Sequence, residues 1–219
     1  KKISMPFPIL SLIDDPDIQK KTAKIYTNHK FPKSDILPKI SCYQGHKKIK
    51  VGYFSADFRN HAIGYLTAEL YELHDKSKFE IHAFSLGESK KDEFNNRIRL
   101  GVEHFHDVQK MSDESIALLA RSLEIDIAID LAGFTGGNRQ GIFAMTLAPI
   151  QACYLGYAGT MGSDYMDYLI ADHTLIPKDK QQYYSEKIVY LPNSYMVNAS
   201  KVEISKKLFS RKDFGLPNN

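Results

Sequence analysis

The chain has 219 residues, 43% hydrophobic and 25% charged, an apolar share near the globular norm that excludes disorder as the main state. Its 29 basic and 26 acidic residues leave a formal charge of +3, too weak and too scattered for a nucleic-acid partner. No apolar run approaches the roughly 18 residues of a membrane span, and no signal-peptide core follows Lys1-Lys2-Ile3. Cys42 and Cys153 cannot build a disulfide framework, so a cytoplasmic setting is expected; the missing initiator Met points to a piece of something longer.

Helical structure is read from Asp15, with Asp15 as N-cap, Pro16 at the first helical position and Asp17 in the first turn, to about His29. Phe31-Pro32 and Leu37-Pro38 break the pattern, and a polar stretch through Lys48 reads as a linker. From residue 49 strands and helices alternate. Strands are expected over Ile49–Phe54, Phe79–Leu86, His104–Val108, Ile125–Leu131, Ile150–Leu155, Tyr168–Ala171 and Ile188–Leu191. Helices are expected over Ile63–His74, Asp92–Val102 and Ser112–Leu123, with Ser112 as cap. In the strand Ile125–Leu131 the four apolar residues at odd positions are read as one face. The alternation predicts an α/β fold, a doubly wound, Rossmann-like parallel sheet covered by helices.

In such sheets ligands bind beyond the carboxyl ends of the strands, so the loops leaving them are the places to search. Ser55-Ala56-Asp57-Phe58-Arg59-Asn60-His61 leads into a helix and carries a histidine able to move a proton near neutral pH; helix capping is the plainer alternative. Gly133-Phe134-Thr135-Gly136-Gly137-Asn138-Arg139 has three glycines in five positions, yet matches neither GxGxxG nor the Walker pattern. Leu155-Gly156-Tyr157-Ala158-Gly159-Thr160-Met161-Gly162 adds a third loop with hydrogen-bonding side chains. Three such loops together point to a ligand cleft. Metal chemistry finds no support at this level. His104 and His106 share a strand face without a visible third ligand, and Cys42 and His46 have no second ligand pair.

At these loops the chain resembles a known family. KVGYFSADFRNHAIGYL from Lys50, DLAGFTGGNRQGIFAMTLAPIQACYLGYAGTMGSDYMDYLIAD from Asp130 and QQYYSEKIVYLP from Gln181 are similar to the protein O-GlcNAc transferases and their SPINDLY-type relatives. Residues 5–26 resemble the segment that joins a tetratricopeptide array to the catalytic region in bacterial members, and RKDFGLPNN resembles the opening of a second catalytic lobe. The resemblance implies a helical segment over 1–46, the N-terminal catalytic lobe of a GT-B glycosyltransferase over 47–204, and the beginning of a C-terminal lobe over 205–219.

The resemblance further implies transfer of N-acetylglucosamine from UDP-GlcNAc to Ser or Thr of proteins, with inversion, without metal or cofactor. Protein acceptors would be engaged through upstream repeats, and the lobe alone would be inactive. By position, His61 matches the family's essential histidine, with Ala62 where proline is usual. Asn60, Phe134, Thr135, Leu155, Gly156, Tyr157 and Thr160 match the donor and substrate loops; Phe134 stands where animal members often have Tyr, and Ala158 replaces a usual proline. Asp126 and Asp130 lie in the strand around which animal members carry extra histidines, which leaves open that an acid takes over. GDP-fucose as donor, or a non-catalytic scaffold, are the alternatives.

Overall fold

A computed structural model describes residues 3–88, 90–200 and 204–217. Among them seven strands form one sheet: β1 (Ile49–Ser55), β2 (Phe79–Ser85), β3 (His104–Asp107), β4 (Ile127–Asp130), β5 (Ile150–Tyr154), β6 (Tyr168–Ala171) and β7 (Lys187–Tyr190). Their order is β3-β2-β1-β4-β5-β6-β7, and every neighbouring pair is parallel. The chain winds outward from β1 to β3, returns to the other side of β1, and winds outward again to β7. The doubly wound, Rossmann-like α/β expectation therefore holds, with the reversal between β1 and β4.

Alternation along the strands builds two cores. Val51, Tyr53, Ile81, Ala83 and Ile129 face one side, where they meet Ile63, Ala68 and Tyr71 of α3 (Ala62–Leu73) and Ile98 of α4 (Glu93–Gly101). Phe54, Phe84, Ala128 and Cys153 face the other, against Ile116, Ala117 and Ala120 of α5 (Asp113–Ser122) and Ile142 and Phe143 of α6 (Gln140–Ala144). Phe54 and Phe84 stack at 4.4 Å with planes 4° apart. A fully buried side chain of this size contributes about 1.5–3 kcal/mol, whereas exposed ion pairs such as Arg97–Glu72 contribute at most about 1 kcal/mol, so apolar burial holds the layers.

Helix starts follow their caps. The Asp15 carboxylate accepts from Ile18 N–H (3.1 Å), Asp92 from Asn95 N–H (2.9 Å) and Ser112 Oγ from Ser115 N–H (3.1 Å). Two helices lie where the residue pattern predicted none, the first of them within the 1–46 helical segment that the resemblance implied. α1 (Pro6–Leu12) begins on a proline and holds another at Pro8; both sit in the first turn, where the missing N–H would have had no intrahelical partner. α6 is five residues long, too short for periodicity to show.

The expected face of Ile125–Leu131 also needs correction. The strand runs only Ile127–Asp130, and Ile125 packs in the α5 core while Ile127, Ile129 and Leu131 face α3 and α4. Glu124 adopts φ 55°, and Ile125 N–H donates back to Ala120 O, so Ile125 belongs to the helix exit.

The N-terminal segment is docked rather than free-standing. α2 (Pro16–Lys30) buries Ala23 and Thr27, and Thr27 Oγ donates to Met161 O (2.7 Å). Tyr165 OH donates to Phe31 O (3.1 Å). The stretch read as a linker is coil, held by Arg121, which donates to Pro38 O (2.7 Å), and by Ser34 N–H, which donates to Ala144 O (2.8 Å). At the other end, Ile204, Leu208, Phe209, Phe214 and Leu216 are exposed in coil and a short 3-10 turn, Arg211–Phe214. The final two residues of RKDFGLPNN, and 201–203 beside the expected lobe boundary, lie outside the described residues.

Candidate functional site

A cleft of about 660 Å³ opens at the carboxyl ends of β1, β2, β4 and β5, astride the reversal in strand order. Its walls come from Asp57, Arg59 and His61 after β1, Gly87, Glu88 and Lys90 after β2, Thr135 and Gly137 after β4, and Leu155 and Gly156 after β5. Phe7 of α1 and Met196 close the sides.

His61 is the N-cap of α3. Its Nδ1 accepts from Ile63 N–H (3.3 Å) and lies 3.7 Å from an Asp57 carboxylate oxygen, with the side chain 40% exposed into the cleft. The capping reading of this histidine is therefore correct, and it coexists with a position on the cleft wall. Asp57 also binds the Arg59 guanidinium at 2.8 Å, and its own N–H donates to Ser55 Oγ (2.9 Å), which fixes the loop. Ala62 is the first residue of α3, where an N–H needs no partner, so losing a proline there leaves the helix start intact.

The β5 loop approaches closely. Leu155 adopts φ 70°, a left-handed conformation unusual for a branched side chain and the sort of local strain found at ligand sites. A Cβ at Gly156 would collide with the Leu131 carbonyl, so glycine is needed for the β4 and β5 loops to meet.

Of the residues singled out from sequence, His61, Thr135, Leu155 and Gly156 line the cleft. The others are placed elsewhere. Asn60 is exposed and donates its N–H to Asp92 (2.9 Å). The Phe134 ring is enclosed, 5.4 Å from Tyr26 and 5.2 Å from Tyr157, so a hydroxyl at that position would point into packing. Tyr157 is itself buried, which pushes its phenol upward. Thr160 Oγ donates to the buried Glu186 carboxylate (2.7 Å), which also accepts Met161 N–H (2.7 Å). These three shape the loops from behind.

Asp126 and Asp130 do not enter the cleft either. Asp126, at the opposite end of the sheet, accepts Lys50 N–H (2.8 Å) and contacts His46 (3.0 Å). Asp130 is buried and accepts from Ala132 N–H (2.9 Å), Gly133 N–H (3.0 Å) and Gln140 Nε2 (2.6 Å); burial raises its pKa. Its work is to fold the glycine loop. Sequence reasoning missed Gly87, Glu88 and Lys90, though their place after a strand was a usable signal, and Phe7 and Met196, for which no local signal exists.

One group outside the cleft has metal-ligand geometry. Glu80, His82 and His104 each offer a ligand atom within 4.8 Å of the others, the sole such trio among the described residues. Burial pushes His82 down to about 4.

Comparison with known proteins places this architecture. The model of glycosyl transferase family 41 matches residues 19–212. The chain belongs to that family. It is 39% identical over 178 residues to a probable UDP-N-acetylglucosamine–peptide N-acetylglucosaminyltransferase, SEC, of Arabidopsis thaliana, covering 79% of this chain and 18% of the relative. It is 32% identical over 155 residues to the Caenorhabditis elegans UDP-N-acetylglucosamine–peptide N-acetylglucosaminyltransferase, covering 70% and 14%. An Arabidopsis relative named SPINDLY is 29% identical over 153 residues. Among solved structures, a mutant O-GlcNAc transferase of Thermobaculum terrenum superposes with a TM-score of 0.76 at 29% identity, over 83% of this chain and 35% of that one. The chain thus spans less than a fifth of these curated relatives' length and about a third of the solved enzyme chain.

Proposed function

We propose that this family 41 chain is the N-terminal catalytic lobe of an inverting, metal-independent transferase that moves N-acetylglucosamine from UDP-GlcNAc to Ser or Thr of proteins. The observation that carries the reading is the convergence of four strand-end loops on one cleft with His61 at its wall. The SEC relative, named for that donor and a peptide acceptor, adds support.

The hydrogen bond from Ile63 N–H to Nδ1 gives a neutral His61 its proton on Nε2. In that state the ring is a donor, suited to hold a substrate oxygen and less suited to take a proton; orientation is its role. Arg59 is tied to Asp57, so among the described residues Lys90 is the other lysine or arginine of the cleft and offers a diphosphate little by itself. Charge developing on the departing nucleotide is met by a second lobe. The exposed Leu208, Phe209, Phe214 and Leu216 support a continuation of the chain into such a lobe. On this reading the present residues alone turn over no UDP-GlcNAc.

The donor is tested by thermal shift on the protein carrying both lobes. UDP is expected to raise the melting temperature and GDP to leave it unchanged. The reverse result replaces UDP-GlcNAc with a guanine-nucleotide donor.

A further inference from the structure

The sheet's β3 edge carries a cluster that the transferase reading does not use. β2 and β3 pair in register with His82 beside His104 and Phe84 beside His106. Glu80, His82 and Phe84 alternate onto the same face of β2, so two strands deliver one carboxylate and three imidazoles to one spot. The ring centroids of His82 and His104 are 4.4 Å apart, and those of His82 and His106 are 5.4 Å apart with planes at 10°.

The polar atoms converge. One carboxylate oxygen of Glu80 lies 3.0 Å from His82 Nε2 and 3.2 Å from His104 Nε2. Around a tetrahedral zinc ion with bonds of about 2.0–2.1 Å, neighbouring ligand atoms sit roughly 3.3 Å apart, so these spacings are close to those of a coordination shell. His82 Nδ1 is 3.1 Å from His106 Nε2, a partner for the far side of the ring of the kind that fixes ligating histidines. His82 is 2% exposed while His104 is 48% exposed, which gives the site a rigid inner ligand and an open approach from solvent. The histidine elsewhere that touches two carboxylates, His46, meets Asp126 through Nδ1 and Glu124 through Nε2. Opposite ring nitrogens cannot serve one ion, so that group is a hydrogen-bonded bridge.

We propose that Glu80, His82 and His104 bind one divalent transition-metal ion of the zinc class, oriented by His106, and that the ion staples the edge strand β3 to β2. Imidazole with one carboxylate suits zinc, cobalt or nickel and is a poor set for magnesium or calcium. The position is away from His61, so the ion is structural and the sugar-transfer chemistry proceeds without it. Because the folded chain holds the ligands together and the unfolded chain does not, binding stabilises the fold.

The test is titration of the metal-stripped chain with zinc by calorimetry, paired with cobalt absorption as a report of coordination. One ion per chain, a four-coordinate cobalt spectrum and a raised melting temperature are expected. His104→Ala, at an exposed position, and Glu80→Gln should each weaken binding at least about tenfold, as should His106→Ala, while His46→Ala leaves it unchanged. Absence of saturable zinc uptake by the wild-type chain, or wild-type affinity in both His104→Ala and Glu80→Gln, overturns the proposal.

Discussion

His61 serves two ends with two ring positions: Nδ1 closes the start of α3, and the remainder of the ring lies on the cleft wall. The neighbouring residues divide more sharply. Thr135, Leu155 and Gly156 reach the cleft, whereas Phe134, Tyr157 and Thr160, one or a few positions away, are buried behind it. A sequence motif locates a loop, and side-chain direction within the loop depends on local φ and ψ that spacing does not encode. Gly156 is the clearest case. Gly156→Ala should lower the unfolding free energy by about 1–3 kcal/mol, because the added methyl meets a backbone carbonyl that cannot turn aside; urea denaturation would show it. Asp130 gives a second test. Asp130→Ala leaves the Ala132 and Gly133 N–H groups without their acceptor, while Gln140 Nε2 keeps the Gly133 carbonyl (3.0 Å), and should cost at least about 2 kcal/mol by the same measurement.

Among the elements, the parallel sheet was legible because its longer strands carry apolar runs, α3 shows helical spacing, and Asp15 and Ser112 mark helix starts. α1 was hidden by two prolines that fit a first turn, and α6 by its length. Ile125 was assigned to the wrong face because alternation continues through it, while Glu124's positive φ turns the backbone first. The histidine cluster was half visible: His104 and His106 share a strand, but Glu80 and His82 arrive through strand pairing that lies more than twenty residues away in sequence.

The end of α3 also sets a pH response. His74, its C-cap, shares a hydrogen bond with the Tyr53 hydroxyl (2.9 Å), and burial holds its pKa below the ordinary value of about 6.5 against a weaker opposing pull from Glu103. The folded chain keeps the ring neutral, and the unfolded chain protonates it below about 6.5. Its contribution is full above that pH and is lost as pH falls toward the folded pKa. His74→Gln should therefore make stability less steep between pH 7 and 5, measured by denaturation at several pH values.

At the scale of the whole molecule, the α1–α2 segment is built onto the same unit as the sheet. α2 docks through Thr27 and Ala23, α1 brings Phe7 to the cleft wall, and the sheet's reversal places four loops opposite it. On the cleft wall the Arg59 charge is paired with Asp57. The most direct measurement is transfer of labelled N-acetylglucosamine from UDP-GlcNAc to a protein acceptor by the proposed two-lobed protein, wild type against His61→Ala, with folding of the variant checked by its melting temperature. A folded variant whose transfer is abolished is expected. Near-normal transfer by that variant would contradict the placement of the active site in this cleft.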